Sequence, residues 1–306
     1  MKTESRAMRL DASVAQVAAD QFGLVSRTQV LAIGLSAGQI RRRVGAGTWI
    51  ELLPRIYALR GVPRSWEQRV MAAVLWSGGL ASHRCSGALR GWDGVPEGIV
   101  EVLVTRNLGL RNGIVFHRVA ELPAFDVCKM RGIPATAAAR TLLDLGNVLD
   151  DEHVEYALEH ALRARHVTLT RLRWQLRTQG RPGKRGTGSL RRLLVQRPPG
   201  YRPKRSPLEL KVLRSLRRAR FPEPVYEYVV ITPSGERLRP DFCYPERKVA
   251  IECESYTYHG GRRVWLRDIN RYKRLRRMGW TVIQVTEEDL VDEADFHSDV
   301  RRALFD

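Results

Sequence analysis

The chain predicts a two-domain, multi-domain-type α/β protein, and three observations carry that expectation. Its 306 residues exceed what one core usually serves, because single cores stop growing beyond roughly 250–300 residues. The Pro198-Pro199-Gly200 run interrupts the pattern late in the chain, and such breakers mark connections. Beyond it, helix-period and strand-period segments follow in the order helix, three strands, helix, strand. With 43% hydrophobic residues the composition fills real cores and excludes a disordered chain.

Charge narrows the function classes. The formal net charge is +19, and residues 161–220 hold nineteen Lys and Arg against one acid, Glu209. An excess gathered in one stretch predicts a polyanion partner, and DNA is the natural candidate. Residues 1–10 lack the basic start and apolar run of a secretory leader, and no stretch approaches eighteen apolar residues, so a cytoplasmic protein without membrane contact is expected. Cys85, Cys128, Cys243 and Cys253 show no metal-site spacing and are expected as reduced thiols.

The first elements read as three helices and a hairpin. Val14, Val17, Ala18 and Phe22 recur at helical spacing over Asp11–Gly23; Ser26 and Ser36 cap two further helices, the second carrying Arg41, Arg42 and Arg43. Two strand-like runs, Trp49–Leu53 and Ile56–Leu59, follow Gly45-Ala46-Gly47. That order predicts a winged helix-turn-helix over residues 10–60, with Arg41 to Arg43 reaching bases or phosphates from its third helix; as a helix end, the same arginines also complement the dipole. The segment resembles the N-terminal domain of AbiEi-like antitoxins of type IV toxin-antitoxin systems. The resemblance implies transcriptional autorepression and a cognate toxin.

Residues 61–165 read as an α+β companion region: helices over Ser65–Trp76, Ser82–Arg90, Thr136–Leu145 and Asp151–Ala164, and strands over Val100–Val104 and Gly113–Arg118. Its histidines, His83, His117, His153 and His160, are scattered and predict no metal site. Residues 166–204 read as a basic helix and linker. Gly180–Gly188 lacks Walker spacing, and Arg181, Lys184 and Arg185 within it are expected to lie along a phosphate backbone.

Residues 205–306 carry the chemistry. Ser206 and Pro207 open a helix with Glu209 in its first turn, where an acid also complements the dipole. Strands are expected over Val225–Ile231, Leu238–Tyr244 and Lys248–Ser255, a helix over Trp265–Met278, a strand over Trp280–Thr286 and a closing helix over Asp295–Phe305. Asp241 lies on one strand and Glu252 and Glu254 on the next. Because side chains alternate, the two glutamates share a face and Cys253 points away. Three converging carboxylates repel one another by about 3 kcal/mol per pair at an effective dielectric near 20, so a cation belongs among them, and hard oxygen donors suit Mg²⁺ or Mn²⁺.

The Arg239-Pro240-Asp241 run, the Glu252-Cys253-Glu254-Ser255 run ending at His259, and the helix bearing Arg267, Asp268 and Arg271 resemble the restriction-endonuclease-like PD-(D/E)xK superfamily. Within it the segment is most similar to domains related to the very-short-patch-repair (Vsr) endonuclease. The resemblance implies an αβββαβ sheet and metal-assisted hydrolysis of DNA, with Asp241, Glu252 and Glu254 as metal ligands and Glu209 reaching the same site. The family lysine is replaced by Glu254, which leaves the proton acceptor open between a second ion on Glu254 and His259 as general acid or base. Arg267 and Arg271 are expected on DNA, and Tyr256, Tyr258 and Trp265 either stack on bases or fill the core. The competing class is a DNA-binding regulator with a degenerate nuclease site.

Overall fold

The structure, a computed structural model, describes residues 2–108, 113–180, 186–198, 200–201, 203, 206–226, 228–254 and 271–306. The chain divides into two compact units, Met1–Pro203 and Lys204–Asp306.

The first unit opens with α1 (Lys2–Ala19), β1 (Leu24–Ser26), α2 (Arg27–Ile33), α3 (Ala37–Gly45), β2 (Trp49–Leu53) and β3 (Ile56–Leu59). Ser26 and Ser36 each close a capping box, with Gln29 and Gln39 returning the hydrogen bond, so two otherwise orphaned backbone donors are satisfied at each helix start. The strands form an antiparallel sheet in the order β1-β3-β2, and Val14, Ala18, Val30, Ile40, Trp49 and Tyr57 make its core. α1 begins well before the expected Asp11. β1, at three residues, is too short for periodicity to reveal.

A second sheet follows, built from β4 (Leu80–Ala81), β5 (Val100–Val104), β6 (Ile114–Arg118), β7 (Val127–Met130) and β8 (Ile133–Thr136), in the order β6-β5-β4-β8-β7. It packs with α4 (Trp66–Ser77) and α5 (His83–Leu89). Next come α6 (Ala138–Leu145), α7 (Asp151–Arg163), α8 (Leu169–Gln179) and α9 (Thr187–Val195).

Residues 166–204 were expected as a basic helix and linker, and the structure gives two helices there, both packed into the core. Leu172, Leu190, Leu193 and Leu194 are buried against α6 and α7, and Arg197, 1% exposed, donates to Glu155, Glu159 and the Leu193 carbonyl. A helix needs only one apolar stripe to join a core, and here acids of α7 absorb part of the positive charge. Arg181, Lys184 and Arg185 lie outside the described residues.

The second unit contains α10 (Pro207–Arg218), β9 (Val225–Tyr226), β10 (Val230–Ile231), β11 (Arg237–Leu238), β12 (Phe242–Tyr244), β13 (Val249–Cys253), α11 (described over 271–277), β14 (Thr281–Val285) and α12 (Ala294–Phe305). Four strands form one sheet in the order β14-β13-β12-β9, while β10 and β11 form a separate hairpin. Pro240, which has no amide hydrogen to give a ladder, separates β11 from β12 where one strand was expected. β13 alternates as a doubly covered strand should: Val249 and Ile251 pack with Leu213, Leu216, Val300 and Leu304 on one face, and Ala250 packs with Tyr272, Leu275 and Trp280 on the other. Among the described residues no helix is long and apolar enough to cross a membrane.

Candidate active site

The sheet of the second unit brings its acids to one end. β12 and β13 pair antiparallel with Phe242 opposite Ile251 and Cys243 opposite Ala250. One further step of that register sets Asp241 beside Glu252. β13 and β14 pair in parallel, with Glu252 opposite Gln284. Asp241 Oδ2 accepts a hydrogen bond from the Cys253 amide at 2.9 Å, which pins the carboxylate to the neighbouring strand.

Glu252 is fully buried, and its Oε2 receives Arg271 Nη2 at 2.6 Å. Burying a charge is costly unless it is paired, and the guanidinium from α11 supplies the pairing. Glu254 faces the same side as Glu252, and its Oε1 accepts from Gln284 Nε2 at 2.7 Å.

Glu209 comes from α10. Its amide takes the Ser206 Oγ cap at 3.1 Å, as expected of a residue in the first turn, yet the side chain is only 8% exposed, which a purely surface dipole partner would not be. Burial drives the Cys253 thiol well above its ordinary value, and the charges of Asp241, Glu209 and Glu252 push it the same way. That one thiol thus senses three carboxylates from three elements. Burial likewise raises the Tyr272 hydroxyl; the Arg271 hydrogen bond opposes this, and the Glu252 and Glu254 charges add to it.

The expected trio of metal ligands is therefore not one cluster. Among the described residues no group of three or more His, Cys, Asp and Glu side chains is arranged to hold a metal ion, and Glu254 is engaged by Gln284. Arg271, expected on DNA, donates to Glu252. His259, Arg267 and Asp268, with Tyr256, Tyr258 and Trp265, lie outside the described residues.

Gln284 and Tyr272 escaped sequence reasoning. Gln284 is the one polar side chain between Val282 and Val285 on an otherwise apolar strand, a signal that was present. Tyr272 read as an ordinary apolar position of its helix. In the first unit, Arg41 and Arg42 are exposed on α3. Arg43 is tied inward, donating to Asp11 Oδ1 at 2.6 Å and lying over the Trp49 ring at 5.6 Å.

These elements define a multi-domain α/β protein with a carboxylate-rich sheet end in its second unit. No family model matches the chain. Over 162 residues it is 28% identical to two uncharacterized proteins of Mycobacterium tuberculosis, MT2308 of strain CDC 1551 and Rv2248 of strain H37Rv; the match takes in 53% of this chain and 58% of each relative. The chain thus spans little more than half the length of these curated relatives. The crystal structure of the RV2827C protein from Mycobacterium tuberculosis aligns with 74% of this chain and 89% of that one, at 15% identity and a TM-score of 0.41.

Proposed function

We propose that the chain is a DNA-binding endonuclease of the Vsr-like, restriction-endonuclease-like type, whose phosphodiester hydrolysis depends on Mg²⁺ or Mn²⁺. One observation carries the reading: Asp241 and Glu252 sit side by side at the end of adjacent antiparallel strands, with Glu209 within electrostatic reach. The donor chemistry fits a hard divalent cation, since such ions bind through one or two carboxylates and leave remaining positions to water and substrate phosphate. Asp241 and Glu252 are the residues that would hold it, with Glu209 from α10 as a further oxygen donor. A bound ion supplies Lewis acidity to the phosphoryl group and lowers the pKa of an attacking water.

The chain's own groups set up the rest. The Cys253 amide fixes Asp241, and Gln284 orients Glu254 beside the substrate side of the sheet. In the first unit, three helices and a β1-β3-β2 sheet, with Arg41 and Arg42 exposed on α3, support a winged helix-turn-helix that docks on DNA. The cytoplasm is the compartment in which this reading places the protein.

A second reading is favoured by a different observation. The Arg271–Glu252 ion pair and the Glu254–Gln284 bond leave the sheet end electrically quiet, as in a regulator of the AbiEi-like antitoxin kind whose nuclease unit is degenerate and whose partner is a toxin. Supercoiled plasmid incubated with the full chain and Mn²⁺ separates the two. Nicking that disappears in Asp241→Asn/Glu252→Gln, with DNA retention unchanged, is the expected result. Equal turnover by both proteins discards the nuclease, and retention without any nicking assigns the regulator.

A further inference from the structure

A cavity of about 450 Å³ in the first unit lies among His83, His117, Arg118, Arg140, Asp144 and Asn147. Its size falls in the range of small-molecule sites, roughly 300–1,000 Å³, and it belongs to neither the sheet end of the second unit nor the exposed α3 arginines.

Its polar lining is unbalanced. Arg140 is 3% exposed; its Nε donates to both oxygens of Asp144 at 2.9 and 2.8 Å, and its Nη1 to Asp126 and Gln179. Among the described residues the hydrogen bonds of this guanidinium run through Nε and Nη1, and none through Nη2. Arg118, exposed at the end of β6, makes no side-chain hydrogen bond or ion pair among the described residues. The carboxylates nearby are already engaged: Asp144 by Arg140, and Glu101, fully buried, by Arg84 at 3.0 Å and His117 at 3.1 Å. Guanidinium nitrogens only donate, so the group that satisfies this wall brings acceptor oxygens and negative charge.

The other wall is aromatic. The His83 and His117 rings stack at 3.5 Å with 20° between their planes, and Phe116 also lines the cavity. His83 holds a backbone φ of 47°, in the left-handed region that costs a non-glycine residue about 1–3 kcal/mol and collects at functional sites. Its Nδ1 lies 3.0 Å from Ser82 Oγ. Burial first, then the neighbouring His117, lowers its pKa to about 3, so it meets a ligand as a neutral ring.

We infer that this cavity binds a nucleoside monophosphate, with the phosphate on Arg118 and Arg140 and the base against the imidazole and phenyl rings. The inference stands apart from the nuclease reading, whose catalytic residues are all in the other unit, and either can fail alone.

The full chain is titrated calorimetrically with AMP, adenosine and inorganic phosphate at neutral pH. AMP is expected to bind saturably and at least tenfold more tightly than adenosine or phosphate alone. Arg118→Gln should weaken AMP about tenfold, the scale of one lost charge-assisted hydrogen bond, while Arg60→Gln, at an exposed arginine on the same unit, should leave it unchanged. Absence of saturable AMP binding overturns the site. So does adenosine or phosphate binding as tightly as AMP, an Arg118→Gln affinity equal to the parent's, or an equal loss in Arg60→Gln, which would make the effect one of general charge.

Discussion

Two guanidinium–carboxylate assemblies, one in each unit, use the same chemistry to opposite ends. Around Arg197 every nitrogen is spent: Nε on Glu159 at 2.7 Å, Nη1 on the Leu193 carbonyl at 2.7 Å and Nη2 on Glu155 at 2.6 Å, with Tyr201 also donating to Glu159 at 2.7 Å. Around Arg271 one nitrogen meets Glu252, Tyr272 shares a hydrogen bond with it, Nε is buried with no hydrogen-bond partner among the described residues, and the side chain is 31% exposed. A saturated network resists exchange of any member, because removal leaves a buried charge alone. A pair whose guanidinium stays partly open at the end of a sheet is more readily exchanged. Saturation, more than the presence of an ion pair, separates scaffold from candidate site.

The sharpest way to break this comparison is to delete the saturated arginine. Arg197→Ala should cost about 3–5 kcal/mol, the scale for stranding a buried partner, read as a lower urea midpoint at unchanged slope. A loss within about 0.5 kcal/mol, as at ordinary surface sites, would make the two assemblies equivalent.

Acid probes a neutral group in the same unit. His83 is held to about 3, whereas in the unfolded chain it takes a proton near 6.5. Between those values the unfolded state binds more protons, so stability rises with pH and is lost on acidification, by up to about 1.4 kcal/mol per pH unit. His83→Asn, which tolerates the left-handed backbone, should flatten that slope in melting curves taken from pH 7 to 4. An unchanged slope would assign the acid sensitivity elsewhere.

The smallest effect is expected at the unsaturated arginine. Arg271→Gln removes a resident cation from Glu252, so Mn²⁺ followed by electron paramagnetic resonance should bind more tightly, by about tenfold or 1.4 kcal/mol. Weaker binding would make Arg271 a fixed support, as Arg197 is.

What the sequence made legible follows local chemistry. Serine caps at 26, 36 and 206 announced three helix starts, and each serine accepts from the amide three residues on. Strand alternation set Glu252 and Glu254 on one face and Cys253 on the other because one-residue steps carry the signal. The illegible parts depend on tertiary partners. β1, β4, β7 and β8 span two to four residues each, too few for a period. The burial of Arg197 was hidden because composition does not distinguish an arginine facing water from one facing Glu155 and Glu159. Arg271 was read as a DNA contact, since nothing in its helical spacing named Glu252 as its partner.

The edges of the two larger sheets bear on how the protein behaves when concentrated. In the first unit β7 is an outermost strand with Val127 exposed, and Lys129 follows two residues on along the same exposed side. In the second, the outermost β9 is two residues long. A lysine on the rim and a strand too brief to template another both discourage edge-to-edge stacking of copies. Replacing Lys129 with valine would leave an apolar border beside Val127, and self-association into β-rich aggregates is the hazard that border carries.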